Sequence, residues 1–155
     1  MAYRITGLSR DEFESLFGLD DEALAARGAM RVTATADMGF PCRISLQDAK
    51  AGETLLLLNH TSHDVATPYR SSYAIYVREA VNAAASFDDA TPPVFEGRPL
   101  GLRAFGADGM LRNAALVLPG EADTRIRDLF ADDAIAYIDA HNAAHGCFAA
   151  RVERA

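Results

Sequence analysis

The sequence predicts an α+β fold, a mainly antiparallel sheet of about eight short strands with two or three helices. Three observations carry that expectation. The apolar runs are mostly of strand length, the connections between them are mostly short enough for hairpins, and helical spacing appears only near the start and before the last hairpin. A helix-capped open barrel is the alternative architecture. At 155 residues, half of them hydrophobic, the chain suits one well-buried core, so a single domain spanning residues 1–155 is expected.

The elements follow in chain order. Residues 3–8 start as a strand, and Ser9 with Glu12 forms a capping-box signature for a helix carrying Phe13, Leu16 and Phe17 on one face, stopped by Gly18. Asp20 caps a second helix running to Arg27, and Gly28 ends it. Val32, Thr33 and Thr35 favour a strand over 29–36, and a second extended piece covers 42–46. Residues 54–60 form the densest apolar run. With leucines at both odd and even positions neither face suits water, which predicts a central strand. Residues 61–72 mix His, Asp, Thr, Pro and Ser as an irregular loop, and 73–79 return to a strand.

A helical turn at 80–85 and a Pro-rich loop at 90–93 precede a clear hairpin. Residues 100–106 and 110–118 flank Asp108-Gly109, a step that supplies the positive φ of a tight turn. Residues 121–131 place Ala122, Ile126, Leu129 and Phe130 at helical spacing behind an acidic first turn. A last hairpin joins 134–141 to 146–152 through Asn142-Ala143-Ala144-His145. If that loop has four residues, Cys147 shares a face with Ile138 and Ala140, while His141 points the other way with Tyr137 and Asp139.

Composition narrows the functional classes. The net charge is −7 and Lys50 is the single lysine, so no nucleic-acid partner is expected, because neutralising phosphates takes clustered basic residues. No apolar run approaches a membrane span and no secretory leader is visible, which predicts a cytoplasmic protein with no membrane partner. In a reducing compartment Cys42 and Cys147 are expected as two thiols.

Several segments in combination resemble a bacterial family of uncharacterised proteins, the domain of unknown function 1203. They are Pro41-Cys42-Arg43, TPYRSSYAIYVRE from Thr67 to Glu79, RAFGADGM from Arg103 to Met110 and HNAAHGC from His141 to Cys147. The resemblance covers nearly the whole chain and implies no catalytic role.

The unusual polar residues gather around the leucine strand. Cys42, Arg43, Tyr69, Arg70 and His141 are the expected binding residues for a small anionic ligand, since an arginine fork suits carboxylate or phosphate. Arg78, inside an otherwise apolar strand, needs solvent, a ligand or an acid such as Asp139. An enzyme using Cys42 or a histidine, and a structural protein forming a homodimer, are the alternatives. His60, His63, Asp64, His141 and His145 are chemically able to ligate metal, but their spacing matches no metal-site grammar, so neither metal nor cofactor is expected.

Overall fold

The computed structural model describes residues 2–155. The strands are β1 (Tyr3–Thr6), β2 (Met30–Thr33), β3 (Thr54–His63), β4 (Ser71–Arg78), β5 (Ser86–Asp88), β6 (Leu100–Phe105), β7 (Leu111–Val117), β8 (Tyr137–Asn142) and β9 (Phe148–Arg154), and the helices are α1 (Asp21–Ala26) and α2 (Ala122–Phe130). They form an antiparallel six-stranded sheet in the order β5-β1-β9-β8-β6-β7 and a separate three-stranded sheet in the order β2-β3-β4. The fold is α+β and mostly antiparallel sheet, and neither sheet closes into a barrel.

In the large sheet, strand alternation separates two environments. Leu100, Leu102, Ala104, Ile138, Ala140, Ala150 and Val152 belong to a core that also takes Ile126, Leu129 and Phe130 from α2. On the opposite parity, Arg103 pairs in register with Asp139, and Asp139 with Arg151. This second face is polar and aromatic. It meets the end of β3, where the Arg151 guanidinium donates to Ser62 O at 3.2 Å and His63 Nε2 lies 2.6 Å from Tyr137 Oη.

β3 is the middle strand of the small sheet, as its two-faced leucine pattern requires. Leu56 and Leu58 enter a core with Ile75, Val77, Phe13 and Leu24, while Leu55 packs with Ala34 and Ala49.

Four local expectations are corrected. Residues 9–17 hold a 3-10 turn (Arg10–Phe13), with Ser9 Oγ accepting from Asp11 N, and no full amphipathic helix. β3 extends to His63 because Thr61 and His63 find partners in Ser72 and Ser71 past a bulge, so the irregular loop shrinks. Residues 80–85 are not helical, and β5 follows them, paired to β1 through Phe87 and Ile5. Residues 42–46 form a turn, fastened to the rest by single bridges, Pro41 with Asp48 and Cys42 with Tyr76.

Candidate functional site

A cleft of about 560 Å³ opens between β3 and β4, residues 39–43, residues 97–99 and the β8–β9 turn. Its walls are largely apolar, with Leu57 and Tyr76 supplied as cross-strand neighbours in register, and Pro41, Pro99, Ala143 and Ala144 around them. Tyr73, Arg43, Arg98, Asn142, His145 and Cys147 provide the polar groups. Room of this size, mostly apolar with a few convergent polar atoms, is the usual character of a small-molecule site.

The turn at 42–46 places Arg43. Arg43 N donates to Tyr76 O at 3.1 Å, Arg43 O accepts from Leu8 N at 2.7 Å, and Ile44 O accepts from Ala85 N at 3.0 Å. Held on both sides, the turn sends Cys42 and Arg43 in different directions. Arg43, only 2% exposed, donates from Nε to Phe148 O at 2.8 Å, from Nη1 to Pro41 O at 2.7 Å and from Nη2 to Cys147 Sγ at 3.1 Å. Among the described residues no carboxylate is its partner and no salt bridge involves it. Burial, the largest influence, pulls the guanidinium below its ordinary range, partly opposed by Cys147. Guanidinium stays charged across the accessible pH range, so this is a buried positive charge beside a cleft with no acid to balance it.

Arg98, on the same cleft, is different. It forms a fork with Asp48 at 2.6 and 3.0 Å, which leaves it locally neutralised.

Cys147 is half-buried and borders the cleft. Its sulfur accepts from Arg43 and from Asn142 Nδ2 at 3.4 Å. The Asn142 contact fits the expected alternation, with Cys147 on the Ile138–Ala140 side and His141 on the other. Asn142 Oδ1 is buried without a hydrogen-bond partner.

The five expected ligand residues do not share this cleft. Cys42 is completely buried in the small-sheet core, its sulfur facing the amides of Ile44, Ser45 and Arg78 at 3.3–3.4 Å. Tyr69 and Arg70 border another cavity of about 290 Å³ with Arg103 and Phe105. Arg70 pairs with Asp64 at 3.0 Å. His141 is buried behind the cleft, its Nδ1 2.9 Å from Gly146 O and Tyr73 standing edge-on at 4.9 Å. Of the five, Arg43 alone lines the large cleft.

Arg78 and Asp139 are committed to structure. Arg78 pairs with Glu53 at 2.7 Å, and the fully buried Asp139 pairs with Arg151 at 2.7 Å, so the proposed Arg78–Asp139 pair does not form. A carbonyl only accepts, so in neutral His63 the Nδ1–H donates to Tyr69 O and Nε2 accepts from Tyr137. Among the described residues no three His, Cys, Asp or Glu side chains converge to hold a metal ion. No helix among them is long and apolar enough to cross a membrane.

Cys147, Asn142, Tyr73, Tyr76 and Arg98 are the cleft residues that the sequence did not single out as a group. One signal was available: the run of small residues Ala143-Ala144 between a histidine and a cysteine leaves a turn with no bulk to fill a neighbouring hollow. A family model described as a protein of unknown function (DUF1203) matches residues 39–154. No curated protein and no solved structure matches the chain.

Proposed function

The chain belongs to the family of proteins of unknown function known as DUF1203, and from the chemistry of the cleft we propose that it binds a small organic anion with an apolar body. One observation carries this reading. Arg43 is a buried cation with no carboxylate partner among the described residues, placed on a cleft of about 560 Å³ whose remaining walls are mostly hydrocarbon and tyrosine rings. A carboxylate in the cleft supplies the missing counter-charge, while Leu57, Tyr73 and Tyr76 cover the apolar part. Arg98 contributes less, because Asp48 already neutralises it.

Benzoate and its neutral isostere benzamide separate charge recognition from simple filling of the cleft. Benzoate is expected to raise the melting temperature in a saturable way, by about 2.7 kcal/mol of stabilisation at a hundredfold excess over its Kd, and benzamide is not. In amide NMR spectra the same titration should move Ala143, Ala144 and Tyr73, which line the cleft. Equal responses to the two compounds, or no response to either, would refute the proposal.

A further inference from the structure

We propose that the cavity of about 290 Å³ beside the β6–β7 hairpin is a second binding site, one that takes a small phosphate monoester. It shares no lining residue with the large cleft and does not rest on the anion reading given to Arg43.

The lining supplies donors and hydrocarbon but no acid. Tyr69, Arg70, Ser71 and Arg103 bring N–H and O–H groups, Phe105 and Leu111 bring apolar surface, and no Asp or Glu among the described residues lines the cavity. Arg103 is the central group. Its cross-strand neighbour on β8 is Asp139, but both oxygens of Asp139 accept from Arg151, at 2.7 and 3.0 Å. Arg103 keeps one neutral partner, Tyr73 Oη at 2.7 Å, and among the described residues no salt bridge involves it. Arg70 is held only by Asp64, in a pair whose side chains are 56% and 73% exposed. An ion pair so open to water is worth little and yields to a stronger anion. Two guanidinium groups with one exposed carboxylate to share suit a dianion, and a tetrahedral head offers oxygens to both arginines and to the Ser71 hydroxyl at once.

The walls are fixed in advance. Phe105 stacks on His63 with ring centres 3.9 Å apart, and the same histidine holds Tyr69 O at 2.9 Å. Thr67 Oγ1 donates to Gly109 O at 3.3 Å and accepts from Tyr69 N at 3.2 Å, which fastens residues 64–70 to the hairpin that carries Leu111. Little ordering is then left for a ligand to impose. The volume lies at the low end for ligand sites, about 300 Å³, and suits a phosphate carried on one ring or a short chain over Phe105 and Leu111.

Phenyl phosphate, its singly charged isostere phenyl sulfate and inorganic phosphate are each titrated into the whole chain and followed in amide NMR spectra. The titrations are run at about pH 7.5, where a phosphate monoester is doubly charged because its second ionisation falls near about pH 6. Phenyl phosphate is expected to move Ser71, Phe105 and Leu111 in a saturable way and to leave Ala143 and Ala144, on the large cleft, in place. Phenyl sulfate should bind about tenfold more weakly for want of the second charge, and inorganic phosphate more weakly for want of the ring. Arg103→Met should lower the affinity for phenyl phosphate by about tenfold and Arg103→Lys by less. Arg70→Ala, at an exposed pair, should cost about threefold and decides the matter if Arg103→Met does not fold. No saturable movement at Ser71 and Leu111, movement at Ala143 and Ala144 in their place, equal affinity for phenyl sulfate, or an affinity unchanged in every arginine variant that folds overturns the inference. The benzoate response at Ala143 and Ala144 reports on the large cleft and stands or falls separately.

Discussion

Gly7 lacks a side chain because the Ile44 carbonyl occupies the space one would need. A Cβ there would press on backbone rather than on a movable side chain, so Gly7→Ala must displace either the end of β1 or the turn that carries Arg43. The expected loss is about 1–3 kcal/mol in urea unfolding, and a loss under about 0.5 kcal/mol would show that the turn yields freely. Histidines set a second expectation at this scale. Burial holds His60 and His141 below the ordinary histidine range, opposed for His60 by Glu12 and for His141 chiefly by the Gly146 carbonyl. Between those lowered values and the ordinary value of 6.5, the unfolded chain binds protons that the folded chain refuses. The contribution is therefore complete above about pH 6.5 and is lost as the pH falls through that interval. The melting temperature should drop as the pH falls below about 6.5, with a shallower drop in His141→Gln, and a flat profile in the wild type would contradict the assignment. Asp123 and Glu53, whose carboxyls are held below their ordinary values, act at lower pH and leave this window to the histidines.

β3 shows how one strand serves two purposes. Leu56 is fully buried among Phe13, Leu24 and Val77, whereas Leu57, one residue on, faces the cleft and is half-buried. Leu56→Ala is expected to cost about 2–5 kcal/mol and Leu57→Ala about 1 kcal/mol, with the second change weakening benzoate binding instead. Equal losses of stability would place both side chains in the core. The elements legible in the sequence are those whose causes are local. Asp20 accepts from Ala23 N and caps α1 as its residue type suggests, and the Asp108-Gly109 step turns the β6–β7 hairpin with Gly109 at φ +77°. β5 escaped because Ser86-Phe87-Asp88 has no periodicity of its own and becomes a strand only through β1. The helix expected at 9–17 failed for the opposite reason. Its local signals were present, but Phe13 is drawn into the small-sheet core and the segment turns on toward Gly18 at φ +83°.

Across the whole molecule the cleft draws on residues from Gly39 to Cys147, and the family match from 39 to 154 contains all of them. That span explains why the site was only partly legible. Arg43 is conspicuous in the sequence, but its partners Cys147 and Phe148 lie 104 and 105 residues away, and no spacing rule links positions so distant. Cys42 was equally conspicuous, yet the turn sends it into the core while its neighbour enters the cleft. The same arrangement governs the order of events during folding. β1 sits beside β9, so the first and last strands must meet before the large sheet is complete, and Arg43 can reach Phe148 only after that region has assembled. Contacts between ends so far apart close long loops before they repay the entropy, which favours slow folding and late consolidation of the most distant pairs. In stopped-flow chevrons Arg43→Met is therefore expected to accelerate unfolding while leaving refolding nearly unchanged, and a slowed refolding arm would place this arginine in the nucleus. The cleft is then the last part of the protein to exist on the way in and the first to be lost on the way out.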